Sequence, residues 1–233
     1  MKLFLTVVFT LFLFTTFFAQ DLSREQKSQQ IRELNAQINR LAGELLLPET
    51  VDIRDADSRS LKAFRLLPRE AYDRPISVPQ GGGSFYSFTT GSHDYQATAQ
   101  INLELNRLST GFAGSNFGLM ADIGDVSITD DLSGIPELSF LSKYNAPTNI
   151  VAARAEQAKS RDYKVDNFRL KSYLPAVVGH SYILRAISFH GGSADVLVAL
   201  KVIRKDTDGS LIIYWRQLAD FGKPTLDPTI KER

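Results

Sequence analysis

The hydrophobic positions of the chain form three kinds of pattern: an apolar run, a helical stripe and several alternating stretches. The run LFLTVVFTLFLFTTFF, residues 3–18, is interrupted only by threonines; Lys2 precedes it, and Ala19 and a polar segment follow it. A basic start, an apolar stretch and a small residue before a polar segment predict a secretory signal peptide, residues 1–19. The run is also close to the lower limit of about 17 residues for a membrane span, so a retained anchor is the alternative.

A helical stripe follows in residues 20–47, which are predicted to form an amphipathic helix. Ser23 and Gln26 have the spacing of a capping box at its start, and Pro48 ends it. Apolar side chains then recur at spacings of 3 and 4, at Ile31, Leu34, Ile38, Leu41 and Leu45. This stripe is typical of a short coiled coil that would make the protein a homo-oligomer. Two heptads also fit a helix whose apolar face lies on its own domain.

Residues 48–80 are predicted to be a connector with one short helix. Asp57 or Ser58 is a suitable N-cap, and the helix would end before Pro68. Its apolar positions are Leu61, Phe64 and Leu67. Further prolines favour extended chain up to three consecutive glycines, residues 81–83, which mark the change to β-rich sequence.

Two-fold alternation predicts strands after these glycines. Residues 84–90 are rich in aromatic and β-branched side chains, as strands are. The apolar positions from Ala97 to Leu105 alternate with polar ones, which predicts a half-buried strand with one solvent-exposed face. Glycines divide residues 111–128 and indicate short strands with bulges or tight turns.

The middle of the chain contains one predicted loop and one predicted helix. Residues 130–149 carry Gly134, Pro136 and Pro147, which favours a loop. Residues 149–160 are Ala-rich, which favours a helix.

The C-terminal third is predicted to be an antiparallel meander. Its three strands are Tyr182–Phe189, Val196–Arg204 and Leu211–Leu218. Residues 190–193 (HGGS) and 206–209 (DTDG) supply the turns, because tight turns favour the Gly and Ser of the first segment and the Asp and Gly of the second.

The second turn of the meander also predicts a register. If it has four residues, Lys205 pairs with Ser210 and Leu200 faces Trp215. The buried face then consists of Val196, Val198, Leu200, Val202, Leu211, Ile213 and Trp215. A slip of one residue would exchange the two faces of the strands.

These elements together predict a mainly β protein, with an α+β fold as the alternative class. Because several short strands must bury a common face, we expect an antiparallel β-sandwich or open barrel over residues 81–221. The N-terminal helix precedes this domain, and one helix is inserted into it. Residues 222–233 carry two prolines and a charged end, and are predicted to be a flexible tail.

Composition places limits on the partners and the compartment. Lys plus Arg number 27 and Asp plus Glu number 26, so removal of Lys2 with the leader leaves 26 of each. A neutral chain has no global field to attract nucleic acid or anionic lipid. We therefore expect no nucleic-acid partner, and contact with a membrane only through the leader. The chain has no cysteine, and together with the leader this favours a bacterial periplasmic or secreted protein.

Motifs that carry catalytic chemistry are few. The sequence has no Gly-x-Ser-x-Gly elbow and no phosphate-binding P-loop. Of the histidines, His93, His180 and His190, the last two bracket one predicted strand and would lie roughly 30 Å apart, too far to share a metal. No metal site and no cofactor are therefore expected.

Two aspartates and an aromatic segment remain as candidates for a site. Asp122 and Asp125 are either solvated loop acids, or the carboxylates of a calcium loop or a hydrolase. The aromatic residues between positions 85 and 95 either line a groove for a sugar or peptide, or fill the core. The candidate ligand-binding residues are Tyr86, His93, Tyr95, Asp122 and Asp125.

One basic segment, residues 154–171, is either a solvated face or an anion-binding strip, since the acids within it dilute its field. Its cations are Arg154, Lys159, Arg161, Lys164, Arg169 and Lys171.

The absence of a recognisable catalytic constellation favours a non-enzymatic envelope or secreted binding protein. A secreted hydrolase that acts on glycans or peptides through paired carboxylates is the alternative.

Overall fold

The computed structural model describes residues 23–71, 83–93 and 98–227, and the predicted leader, residues 1–19, lies outside them. The chain divides into two units, Met1–Arg40 and Leu41–Arg233. The helices are α1 (Arg24–Leu46), α2 (Thr50–Ser58), α3 (Pro136–Lys143) and α4 (Ile150–Lys159). The strands are β1 (Lys62–Leu66), β2 (Phe85–Tyr86), β3 (Ile101–Glu104), β4 (Arg107–Ser109), β5 (Phe117–Asp122), β6 (Tyr163–Val165), β7 (Phe168–Leu170), β8 (Tyr173–Pro175), β9 (Ser181–Ser188), β10 (Ala194–Lys205) and β11 (Leu211–Asp220).

Helix α1 begins at the predicted capping box. The backbone N–H of Ser23 donates to Gln26 Oε1 at 2.9 Å, and the N–H of Gln26 donates to Ser23 Oγ at 3.2 Å. These two bonds satisfy N–H groups that the first turn of a helix leaves without partners. The helix ends two residues before Pro48. Within the described residues, no helix has both the length and the apolar character needed to cross a membrane.

Antiparallel sheets dominate the domain, which confirms the mainly β prediction. One sheet has five strands in the order β1-β11-β10-β9-β5, and another has four in the order β2-β3-β4-β8. The two sheets pack face to face over a shared core that contains Trp215, Tyr182 and Leu200 from the first sheet and Ile101 and Leu108 from the second. Strands β6 and β7 form a separate hairpin.

Backbone hydrogen bonds link the two sheets along both sides. On one side the N–H of Leu67 donates to the carbonyl of Gly83. On the other side Met120 and Lys171 exchange two bonds. Because the sheets adjoin at both sides, the architecture lies between a sandwich and an open barrel, and its interior is filled by side chains.

The meander has the predicted register in its centre. Leu200 lies opposite Trp215 and Val202 opposite Ile213, and all of the residues predicted for the buried face are buried. The pairing of Lys205 with Ser210 is wrong, because β10 has an irregularity between Val202 and Arg204 that moves Lys205 opposite Leu211. Such a bulge inserts one extra residue on one strand and shifts everything beyond it.

The other face of the five-stranded sheet is also buried. Leu197 and Ile183 pack with Leu141 of α3, whereas Ile212 and Tyr214 pack with Ala56 of α2. Helices therefore cover the face that strict alternation would leave to water.

The predicted helix between residues 57 and 68 is wrong. The segment Lys62–Leu66 is strand β1, which pairs with β11 from Lys62 opposite Trp215 to Leu66 opposite Leu211. Asp57 and Ser58 belong to the end of α2 and cap no following helix. Part of the predicted connector is therefore an edge strand of the main sheet.

Helix α2 is attached to the sheet by a buried carboxylate. Asp52 is 4% exposed, and its two oxygens accept hydrogen bonds from Arg204 Nη1 at 2.8 Å and Nη2 at 3.0 Å. Arg204 Nε donates to Asp206 at 2.6 Å. These carboxylates raise the pKa of the Arg204 guanidinium.

The loop predicted for residues 130–149 contains helix α3, so the domain carries two inserted helices and not one. Pro136 lies in the first turn of α3, where its missing N–H costs no hydrogen bond. The second inserted helix, α4, is at its predicted position. Asn149 caps it by accepting a hydrogen bond from the N–H of Ala152 at 2.9 Å.

The strand predicted around residues 97–105 is shorter than expected, and its polar face is exposed at Glu104 but buried at two other positions. Gln100 and Asn102 are each 1% exposed. Leu105 is 69% exposed and has a positive φ of 49° because it lies in the turn between β3 and β4. The strand predicted for residues 84–90 is confined to β2, followed by an isolated bridge at Ser87.

The first part of the predicted flexible tail is hydrogen bonded to the domain. The carbonyl of Gly222 accepts from the N–H of Asp195, and the N–H of Asp227 donates to the carbonyl of Thr148. The flexibility predicted for residues 222–233 therefore does not describe this part, and residues 228–233 lie outside the described residues.

Candidate functional site

Tyr86 belongs to an aromatic cluster inside the core. Its ring stacks on Phe64 with centroids 3.9 Å apart and planes 9° apart, and Phe88 packs against Trp215 at 4.9 Å. Tyr86 is 4% exposed, and burial raises its pKa to about 12. The arrangement therefore serves packing, and the described part of this segment presents no aromatic groove.

His93 lies against the same cluster. Its ring centroid is 5.2 Å from that of Tyr86, and Nε2 is 2.5 Å from the backbone oxygen of Arg65. Since a carbonyl only accepts, Nε2 carries the proton. Burial lowers the pKa of His93, so the neutral form is favoured. The bond to Arg65 attaches the connection between β2 and β3 to strand β1. Tyr95 lies outside the described residues.

Asp122 and Asp125 bond to basic side chains on the surface. Both oxygens of Asp122 lie 3.0 Å from His180 Nδ1, and one accepts from the N–H of Gly124. Asp125 accepts from Lys201 Nζ at 2.6 Å, and this bond lowers the pKa of its carboxyl. The side chain of Asp125 is 81% exposed. Each carboxylate is thus held by a different side chain, Asp122 by His180 and Asp125 by Lys201.

The structure therefore divides the predicted site residues into two places. Tyr86 and His93 are together in the core, whereas Asp122 and Asp125 are at the surface beside β9 and β10. In the described ranges, no group of three or more His, Asp or Glu side chains is arranged to hold a metal ion.

A pocket of about 270 Å³ lies beside the end of α4, and we call it the α4 pocket. It is lined by Thr110, Gly111, Phe117, Arg154, Gln157, Ala158, Ser160, Arg161 and Ser172. The charged residues in this lining are two arginines, and hydroxyl side chains surround them. Two positions of the predicted basic segment therefore contribute to a concave site.

Hydrogen bonds fix the walls of the α4 pocket. Gln157 Nε2 donates to the carbonyl of Asn116 at 2.8 Å, which attaches α4 to the start of β5. Ser160 Oγ donates to the carbonyl of Gln157. The N–H of Thr110 donates to the carbonyl of Ser172, which joins the segment after β4 to the link between β7 and β8. The buried ring of Phe117 belongs to the same lining.

The acids next to the α4 pocket are engaged by other groups. Glu156 accepts from Lys159 Nζ at 2.8 Å and from the hydroxyl of Tyr144 at 2.7 Å. Asp162 pairs with Arg169 at 3.4 Å. Both acids next to the pocket are therefore already bonded to groups outside its lining.

The chain matches no protein-family model, no curated protein and no solved structure.

A larger pocket of about 470 Å³ lies where the segment after β5 meets β11. Its lining combines Asp130 and Asp131 with Arg216 and several apolar side chains. Arg216 Nη2 donates to the carbonyl of Asp130 at 2.9 Å, and Ser133 bonds lower the pKa of the Asp131 carboxyl. The lining therefore holds charges of both signs and indicates no single charge of ligand.

Sequence reasoning missed the polar walls of the α4 pocket. Thr110, Gln157, Ser160 and Ser172 carry no motif, and they meet only because β4, α4 and the β7–β8 link converge. The available signal was the basic segment, from which Arg154 and Arg161 could be taken but not distinguished from its other cations.

Proposed function

We propose that the protein is an exported, non-enzymatic binding protein that takes an anionic oxygen ligand in the α4 pocket. Phosphate, sulfate and carboxylate groups share the required chemistry. The observation that carries this proposal is the lining of the pocket, in which Arg154 and Arg161 are the charged side chains and Thr110 and Ser172 supply hydroxyls.

The chemistry of these side chains supports an oxyanion. A guanidinium offers several N–H donors in a planar fork that matches the oxygens of a phosphate or carboxylate. Hydroxyls supply further donors at short range. The neighbouring acids Glu156 and Asp162 already accept from Lys159 and Arg169, so they compete less for Arg161.

The contacts of Asp122 and Asp125 argue against the hydrolase alternative. It requires two carboxyl groups that face one another across a cleft. Asp122 is bound to His180 and Asp125 to Lys201, and neither aspartate lines the α4 pocket or the larger one.

Titration with inorganic phosphate and sulfate tests the ligand class. We expect saturable shifts of the backbone amide NMR signals of Thr110, Ser160 and Arg161. Arg161→Gln is expected to weaken binding about tenfold or more, because a charge-assisted hydrogen bond contributes about 1.5–3 kcal/mol. The matched control is Lys164→Gln, which removes a cation of the same segment that does not line the pocket. Equal losses in both variants, or no saturable shift, would exclude the pocket.

Export is tested separately by expressing the chain with its own N-terminal segment in a bacterial host. Cleavage after Ala19 gives a secreted or periplasmic protein that begins at Gln20. N-terminal sequencing and intact mass identify this product. Protein that remains in the cytosol and still begins at Met1 would contradict the predicted location while leaving the anion measurement unaffected.

A further inference from the structure

The apolar stripe of helix α1 is exposed to solvent. Ile31, Leu34, Ile38 and Leu41 are 59%, 50%, 45% and 57% exposed. They recur at spacings of 3, 4 and 3 along one continuous helix. A row of large apolar side chains on one helix face gains free energy when another surface removes it from water.

The residue types of the stripe favour a second copy of the same helix. If Ile31 is taken as position a of a heptad, Ile38 is the next a, and Leu34 and Leu41 are the d positions. Ile at a with Leu at d favours a parallel two-stranded coiled coil over higher assemblies. Arg24 and Lys27 would occupy the preceding a and d positions, so the apolar seam begins at Ile31.

The flanks of the stripe permit pairing between like copies. The e and g positions from residue 28 to residue 42 are Ser28, Gln30, Asn35, Gln37 and Ala42. None of these carries a charge, so identical helices in parallel bring no like charges together over this part of the seam, and the first charged g position is Glu44, beyond the Ile31–Leu41 stripe. The charged residues Arg32, Glu33 and Arg40 fall at b and c, away from the partner.

We propose that α1 pairs with α1 of a second copy of this chain in a parallel coiled coil that begins at Ile31. The seam is about two heptads long, so the association depends on protein concentration. Pairing would place two β domains in one dimer, which would raise the avidity for any surface that displays repeated ligands. This assembly is independent of whether the α4 pocket binds anions.

Sedimentation equilibrium of the exported chain tests the pairing. We expect the mass to rise from that of a monomer to twice that value with increasing concentration. The double variant Leu34→Lys/Ile38→Lys is expected to stay monomeric, whereas Ala36→Lys/Asn39→Lys, which adds the same charge on other exposed positions of α1, is expected to dimerise. A monomer at every concentration, an assembly larger than a dimer, or a dimer that tolerates Leu34→Lys/Ile38→Lys would each overturn the proposal.

The cysteine-free chain allows a test of orientation by disulfide trapping. In a parallel pair each d residue lies next to its own copy, so Leu34→Cys is expected to form a covalent dimer under oxidising conditions. Ala36→Cys, at an outer f position, is the matched control and is expected to remain mostly unlinked. Failure of Leu34→Cys to crosslink in a protein that is dimeric by sedimentation would exclude the parallel arrangement.

Discussion

Arg185 and Asp195 form a bidentate ion pair between β9 and β10 of the five-stranded sheet. Arg185 Nε and Nη2 each lie 2.8 Å from an oxygen of Asp195, and the two side chains are 3% and 4% exposed. Arg185 lies opposite Leu197 in the ladder, so the pair is diagonal between β9 and β10. The guanidinium also donates to the carbonyl of Leu141 and lies 3.7 Å from the ring centroid of Phe221. One buried cation therefore connects the sheet to α3 and to the C-terminal segment.

Asp195→Asn is expected to lower the free energy of unfolding by about 3–5 kcal/mol, because it leaves the Arg185 charge buried without its counter-ion. Urea denaturation followed by tryptophan fluorescence measures this loss. The matched control is Asp162→Asn, which breaks the exposed pair with Arg169 and is expected to cost less than about 1 kcal/mol. Similar losses for the two variants would show that the buried pair contributes no more than a surface one.

Tyr86→Ala is expected to lower the free energy of unfolding by about 3–5 kcal/mol, as truncation of a buried aromatic ring does. Tyr86 stacks on Phe64 and its surroundings include Trp215, so the cavity would lie in the main core. Tyr173, which is 43% exposed, serves as the control, and Tyr173→Ala is expected to cost at most about 1 kcal/mol. A small loss for Tyr86→Ala would indicate that this ring is available for a ligand after all.

His93 makes the stability of the fold sensitive to mild acid. Its pKa is lowered by burial from the ordinary value of 6.5, so the unfolded chain binds a proton more readily than the folded one. Stability is therefore complete above about pH 6.5 and decreases as the pH falls below that value. His93→Gln should flatten this part of the curve of unfolding free energy against pH, whereas His190→Gln, at a residue exposed to solvent, should retain it. Equal slopes for the native chain and His93→Gln would contradict the assignment.

The elements that the sequence predicted correctly are those whose pattern is bounded by local signals, such as turn residues or a helix cap. The β10–β11 pairing followed from two-fold alternation and from the turn residues between Asp206 and Gly209, so Leu200 could be placed opposite Trp215. The irregularity next to Ile203 had no such signal, and the register beyond it was therefore wrong. Helix α4 was predicted because its composition and its cap at Asn149 agree.

Elements that depend on distant partners were mispredicted. Leu61, Phe64 and Leu67 lie in and beside strand β1 at a spacing of three that also fits a helix, and only pairing with β11, far along the chain, makes this segment a strand. Gln100 and Asn102 appear solvent-facing in the sequence, yet both are buried and bonded: Gln100 Oε1 accepts from the N–H of Phe88 at 2.6 Å, and Asn102 accepts from Ser109. Polar side chains can occupy a core when the fold supplies such partners.

The lining of the α4 pocket could not be predicted from the sequence, because it too depends on contacts between distant segments. Arg154 and Arg161 could be identified as members of a basic segment, but the hydroxyls of Thr110 and Ser172 come from another part of the domain. The aromatic residues were assigned to either a groove or the core, and tertiary packing around Phe64 decided between these interpretations for Tyr86.

Two glycines with different backbone conformations should respond in opposite ways to alanine. Gly209 has a positive φ of 86° in the turn between β10 and β11, and an added Cβ would lie 3.3 Å from Pro68. Gly209→Ala is therefore expected to lower the free energy of unfolding by roughly 1–2 kcal/mol, the usual penalty for a left-handed residue with a side chain.

Gly43 is the counterpart within α1, where an added Cβ would meet nothing within 4 Å. Gly43→Ala is expected to stabilise the helix by about 1 kcal/mol, because alanine loses less backbone entropy than glycine on forming a helix. Residue 43 falls at an outer f position of the heptad. The exchange should therefore also strengthen dimerisation, because it stabilises the helix and leaves the residues of the seam unchanged. Circular dichroism and sedimentation of the same samples measure both effects. A gain in helicity with weaker dimerisation would place the partner on the f face of α1 and not on the Ile31–Leu41 stripe.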